Sequence, residues 1–82
     1  MALVRELTLV EPQRTNQHEE VHLCTYTSFD TDTGSRLFQL NTYGAKKRAH
    51  PEKVSQALQF DEASARNLII ALKDVFPSLI GL

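Results

Sequence analysis

Alternation dominates the first sixty residues and gives way to a helical period in the last twenty. The stretch "VHLCTYTSF" (21–29) is rich in β-branched and aromatic residues, which suit a pleated, half-buried surface. It predicts a strand with Val21, Leu23, Thr25, Thr27 and Phe29 on one side and His22, Cys24, Tyr26 and Ser28 on the other. "DTDTGS" (30–35) has turn chemistry: Asp side chains bond nearby backbone and Gly accepts a positive φ. "RLFQLNTY" (36–43) then returns as the second strand of a hairpin, with Phe38, Leu40 and Thr42 opposed to Leu37, Gln39, Asn41 and Tyr43. "KVSQALQF" (53–60) alternates again, Val54, Gln56, Leu58 and Phe60 against Ser55, Ala57 and Gln59. "LVRELTLV" (3–10) alternates more loosely and predicts a further strand, followed by a polar loop that Pro12 opens.

"DEASARNLIIALKDVF" (61–76) changes period. Ala65, Leu68, Ile69, Leu72, Val75 and Phe76 fall in one stripe of a helix. Asp61 is placed to cap it, Glu62 suits its positive end, and Pro77 ends it. The expected architecture is α+β: a four-stranded antiparallel sheet over about 3–60, one C-terminal helix over 61–76 (ββββα), and a short apolar tail over 77–82. The helix should cover the sheet face that carries Phe38, Leu40, Val54, Leu58 and Phe60. The opposite face should then present Tyr26, Gln39, Asn41, Tyr43, Ser55 and Gln59.

Bulk properties narrow the class. At 82 residues the chain predicts a single domain with a modest core, for which a partner subunit is a common remedy. The apolar tail "PSLIGL" points to burial against a second copy or against the chain's own sheet. Apolar content of 41% and charged content of 23% are ordinary for a globular protein. A formal net charge of −1 argues against coating nucleic acid by total charge. Cys24 is the one cysteine, so no internal disulfide forms. No secretory signal pattern opens the sequence and no apolar run approaches ~18 residues. The expectation is a soluble cytoplasmic protein away from membranes.

The chemistry-bearing motifs are few. "HEEVH" (18–22) has the zinc-protease spelling, which needs both histidines one helical turn apart. Here the second histidine enters the best strand, where four residues span roughly 13 Å, too far for one zinc. His22 and Cys24 share a strand face, but a full ligand set is missing. No nucleophile–base pair and no glycine-rich phosphate loop can be placed. The reading is of no metal, no cofactor and no catalytic residue.

The positive charge is local. "GAKKRAHPEK" (44–53) sets Lys46, Lys47, Arg48 and Lys53 against Glu52 alone. Such a loop is either a solvated hairpin tip or a phosphate clamp. Single-stranded nucleic acid is held by a basic groove with aromatic platforms. Arg36 and the four loop cations would meet phosphates, Tyr26 and Tyr43 would stack bases, and Gln39, Asn41, Ser55 and Gln59 would make polar contacts. The alternative reading of both tyrosines is cross-strand cover.

The order of elements, with "KVSQALQFDEASARNLIIAL" (53–72), resembles the last strand and helix of the positive-cofactor-four family of transcriptional coactivators. "FQLNTYG" and "KVSQALQF" are also similar to segments of small uncharacterised bacterial and phage proteins found near DNA methylases. The likeness covers about residues 20–76. It implies a curved four-stranded antiparallel sheet with a C-terminal helix, a homodimer, and single-stranded DNA bound across the sheet. Lys46, Lys47, Arg48 and Lys53 match the family's basic strand-edge positions. The family is usually more basic and places its aromatic residues elsewhere. The function expected is therefore non-enzymatic nucleic-acid binding that favours single-stranded DNA, in transcription or DNA processing. The alternative is an accessory module that docks a larger DNA-modifying enzyme.

Overall fold

A computed structural model describes residues 1–13, 15–21, 23–44 and 53–82. Its elements are β1 (Ala2–Val4), β2 (Cys24–Asp30), β3 (Arg36–Tyr43), β4 (Val54–Phe60) and helix α1 (Glu62–Val75), with a short 3-10 turn over Pro77–Leu79. The four strands form one sheet in the order β1-β4-β3-β2, and the helix follows it, an α+β arrangement.

β2 and β3 make the hairpin. Residues 31–35 connect them: the Thr31 amide donates to the Ser35 carbonyl at 2.7 Å and the Gly34 amide to the Thr31 carbonyl at 2.9 Å. Gly34 takes a φ of 86°, a conformation that a side chain would resist. β3 and β4 run antiparallel in the centre, with a register shift between Thr42 and Tyr43. Thr42 opposes Gln56 and Tyr43 opposes Val54, so Ser55 is the extra residue of a bulge.

Two expectations about the sheet need correction. The sheet is mixed, because β1 runs parallel to β4, with Ala2 beside Leu58 and Val4 beside Phe60. The first strand is also three residues long instead of the eight of 3–10. Arg5 leaves the strand to donate to the Asp61 carboxylate at 2.7 Å, and Leu9 stands 92% exposed. The alternation of 3–10 marks residues able to form a strand. A parallel partner offers only the short stretch beside β4's last half.

α1 is capped as a reciprocal box. The Asp61 carboxylate accepts from the Ser64 amide at 2.8 Å, and the Asp61 amide donates to the Ser64 hydroxyl at 3.1 Å. These bonds, with Arg5, hold the Asp61 carboxyl below its ordinary value of 3.8; the Ser64 backbone bond is the largest cause.

The helix does not lie across the sheet as its stripe predicts. Its contact with the sheet runs chiefly to β4. Ile69, Leu72, Val75 and Phe76 remain 53%, 40%, 66% and 54% exposed. The reason is the connection. β4 ends at Phe60 and α1 begins at Glu62, so Asp61 alone joins them. Strand-to-helix loops commonly take 2–6 residues. One residue, tied to both Arg5 and Ser64, leaves no length for the chain to fold back over the sheet. Among the described residues the buried apolar ones are Leu37, Ala57 and Phe60, all on the two central strands. No described helix is long and apolar enough to cross a membrane.

Candidate nucleic-acid interface

The hairpin register decides which side chains share a face. Directly paired residues on neighbouring strands project the same way, and faces alternate along each strand. Tyr26 opposes Leu40, and Leu40 opposes Leu58; Phe38 opposes Phe60. These residues form one face, the apolar face. Thr25 opposes Asn41 and Asn41 opposes Ala57; Thr27 opposes Gln39 and Gln39 opposes Gln59. These form the other, the amide face.

The amide face is organised by a short chain of side-chain hydrogen bonds. Gln59 Nε2 donates to Gln39 Oε1 at 2.8 Å, and Gln39 Nε2 donates to Asn41 Oδ1 at 2.8 Å. All three side chains are half-buried. Gln59 Oε1 and Asn41 Nδ2 take no part in the chain, so an acceptor sits at one end and a donor at the other. Thr25 and Thr27 continue the polar surface onto β2. The result is a contiguous polar block over three strands, bordered toward the hairpin turn by Leu37 and Phe29.

Of the eleven residues expected at a binding site, the fold gathers Gln39, Asn41 and Gln59 most tightly. Tyr43 follows them on β3, half-buried, and its amide donates to the Leu23 carbonyl at 2.9 Å. Ser55 lies near them at the bulge. Lys53 is exposed immediately before β4. Lys46, Lys47 and Arg48 lie outside the described residues, as does His22.

Tyr26 must be removed from this group. It stands on the apolar face, its ring stacked on Phe38 at a centroid distance of 5.5 Å and an interplanar angle of 25°. Phe38 in turn meets Phe60 at 6.3 Å. The parity of the turn explains the error. Paired positions on β2 and β3 sum to 66, so even residues meet even residues, and Tyr26 falls in with Phe38 and Leu40.

Arg36 belongs at the other end of the sheet. It begins β3, donates to the Asp30 carboxylate at 3.1 Å, and lies seven residues from Tyr43. At ~3.3 Å per residue that is roughly 23 Å from the Lys53 end. Its charge therefore stands at the end of the sheet away from Lys53. Thr25 and Thr27 were missed as members of the polar face; the same parity rule would have found them. Ser64 was missed as the second half of the helix cap, although an Asp followed three residues later by a hydroxyl is a recognisable signal.

The structure offers little for other chemistry. Residues 18–20 have no regular structure and Val21 makes an isolated bridge, so the "HEEVH" spelling does not fall on a helix. Among the described residues no three His, Cys, Asp or Glu side chains come together in a metal-holding group. No family model, no curated protein and no solved structure matches the chain.

Proposed function

We propose that this protein binds single-stranded nucleic acid, without catalysis, along the amide face of its sheet. The observation that carries the reading is the bonded row Gln59–Gln39–Asn41 with Thr25 and Thr27 beside it. Asn and Gln amides match the paired donor and acceptor edges of bases, and unpaired bases expose those edges. A row pre-ordered by its own hydrogen bonds loses little freedom when a ligand arrives. Lys53 supplies positive charge at the end of the row where Tyr43 provides a ring, and the run Lys46, Lys47 and Arg48 precedes it in the sequence. Phosphate contacts position the strand and the face reads its bases. Single-stranded DNA is the ligand that the resemblance to the coactivator family favours.

Fluorescence anisotropy with labelled single-stranded oligonucleotides, beside duplex DNA and RNA, tests this. Binding should be tightest for single strands and weaken steeply between 50 and 200 mM salt, as counterion release requires (about these concentrations span the sensitive range). Absence of binding to any single strand at low salt rejects the proposal.

A further inference from the structure

β1 is held in place by very little. Its ladder with β4 is three residues long, with Ala2 beside Leu58, Leu3 beside Gln59 and Val4 beside Phe60. Ala2 and Leu3 are exposed, and Val4 is half-buried opposite the buried Phe60. The register carries one step further, to Arg5 beside Asp61, where the guanidinium donates to the carboxylate at 2.7 Å. Beyond that pair residues 6–13 carry no helix or strand, and Arg5 makes the one ion pair of 5–13. A short ladder, one valine and one latch are what keep β1 on the sheet.

The seat is larger than its occupant. β4 has seven residues, Val54–Phe60, and β1 covers the last three. A longer strand can continue beside Ala57 and Gln56 and gain ladder bonds that β1 does not make. The approach is open: a cleft of about 750 Å³ lies beside the seat, with Leu3, Arg5, Phe60 and Asp61 in its wall. The seat also has an address. Backbone pairing accepts any extended chain, and side chains then select among them. The position opposite Phe60 favours an aliphatic residue, and the Asp61 carboxylate one step on favours a guanidinium. Asp61 is fixed for that contact, since its other oxygen accepts from the Ser64 amide at 2.8 Å.

We propose that the outer edge of β4, with the Asp61 carboxylate at its end, docks an extended segment of another protein that runs parallel to β4 and carries an aliphatic residue followed by arginine. β1 occupies this seat as the chain's own copy of that ligand. A second copy of the chain offers the same three residues without the advantage of a tether, so it gains nothing over β1. A foreign strand that reaches Ala57 and Gln56 does gain. The tether holds β1 at a local concentration on the order of millimolar, the level a free peptide must match. The seat is an edge of the sheet and not its amide face, so the inference is independent of nucleic-acid binding.

The probe is a labelled peptide of residues 1–7, MALVREL, titrated with the whole chain and read by anisotropy. The Arg5→Ala chain, whose own β1 lacks its latch, should bind the peptide about three- to fivefold more tightly than the unaltered chain, the worth of one exposed ion pair. Against that variant, the same peptide with alanine for its arginine should be weaker by a similar factor. Adding Asp61→Asn, which still caps α1, should make the two peptides bind alike. Hydrogen exchange of the unaltered chain with excess peptide gives a reading that depends on no variant. The amides of Ala2–Val4 should lose protection while those of β3 keep theirs. Absence of binding to the Arg5→Ala chain at millimolar peptide overturns the proposal. So does peptide binding that leaves Ala2–Val4 protected, and so does equal binding of the two peptides by the Arg5→Ala chain. If added peptide lowers the sedimenting mass of the unaltered chain, a second copy fills the seat and the assignment to a foreign strand falls.

Discussion

The two faces of one sheet follow opposite rules. The amide face closes its polar groups on each other, Gln59 to Gln39 to Asn41, and keeps its apolar members Leu37 and Ala57 buried. The apolar face is satisfied only near the helix start, where Phe60 is buried, and lies open farther along at Leu58 and Tyr26. Polar groups can be finished locally, by a neighbour two residues away or across one strand. Apolar groups can be finished only by bulk, and the one-residue link at Asp61 withholds the bulk of α1. The difference lies in what completes each set of groups: directional hydrogen bonds for the amides, apolar bulk for the rings and aliphatic side chains.

The largest test of this contrast is Phe60→Ala. It removes the most buried aromatic ring of the apolar face and should cost about 3–5 kcal/mol in urea unfolding. A cost under ~1.5 kcal/mol would show that the apolar face contributes little to stability. The amide face should respond more weakly. Gln39→Ala leaves Gln59 Nε2 and Asn41 Oδ1 without each other's bridge, for a loss of about 1 kcal/mol. Thr27→Ala, exposed on the same face, should stay within ~0.5 kcal/mol. Yet both should weaken oligonucleotide binding, so a variant that keeps its stability and loses affinity sharpens the distinction. An unchanged affinity in both variants would take the amide face out of the binding site.

Lys53→Ala should be smaller again. Removing one phosphate contact to a single strand lowers the salt slope of binding by about 0.7, with no measurable change in unfolding. A slope equal to that of the unaltered protein would place Lys53 outside the ligand's path.

The smallest effect is confined to acid. The Asp61 carboxyl is held below 3.8 in the folded state, so the unfolded chain takes up its proton first as pH falls. The cap's ionic contribution is fully present above the unfolded value near 3.8 and is lost as pH drops through the lower folded one. Asp61→Asn, which caps without titrating, should flatten the pH dependence of helix content below pH ~4. Equal acid profiles for the two proteins would assign the acid transition to other carboxylates.

How much of this was legible in the sequence depends on whether the deciding contact was local. β3 matches its expected bounds at 36–43, because β2 and β4 hold it on both sides. The helix and its Asp61 cap were readable, since the period and the cap lie within a few residues. β2 begins at Cys24 instead of residue 21 and extends to Asp30, an ordinary uncertainty of ends. The parallel partnership of β1 was not readable, because it joins residues 56 apart. Alternation within a strand sorts residues into two sets without saying which set of the next strand they meet. Tyr26 was misplaced for that reason alone. The open stripe of α1 also looked like core from its pattern. Periodicity reports that a face wants burial; the length of the preceding link decides whether the same chain can provide it.

The parallel pairing of β1 with β4 has a consequence for how the molecule assembles. Ala2–Val4 are made before the other three strands and find their hydrogen-bonding partners, Leu58–Phe60, only after the hairpin and its neighbour have been made. Closing so long a loop for three residues of ladder offers little reward until β4 is in place. β1 is therefore expected to be the last strand to dock and the first to leave, with Arg5 and Asp61 as its latch. In crowded conditions an undocked β1 leaves β4 with a bare edge, and the strand that fills it could as well come from another molecule.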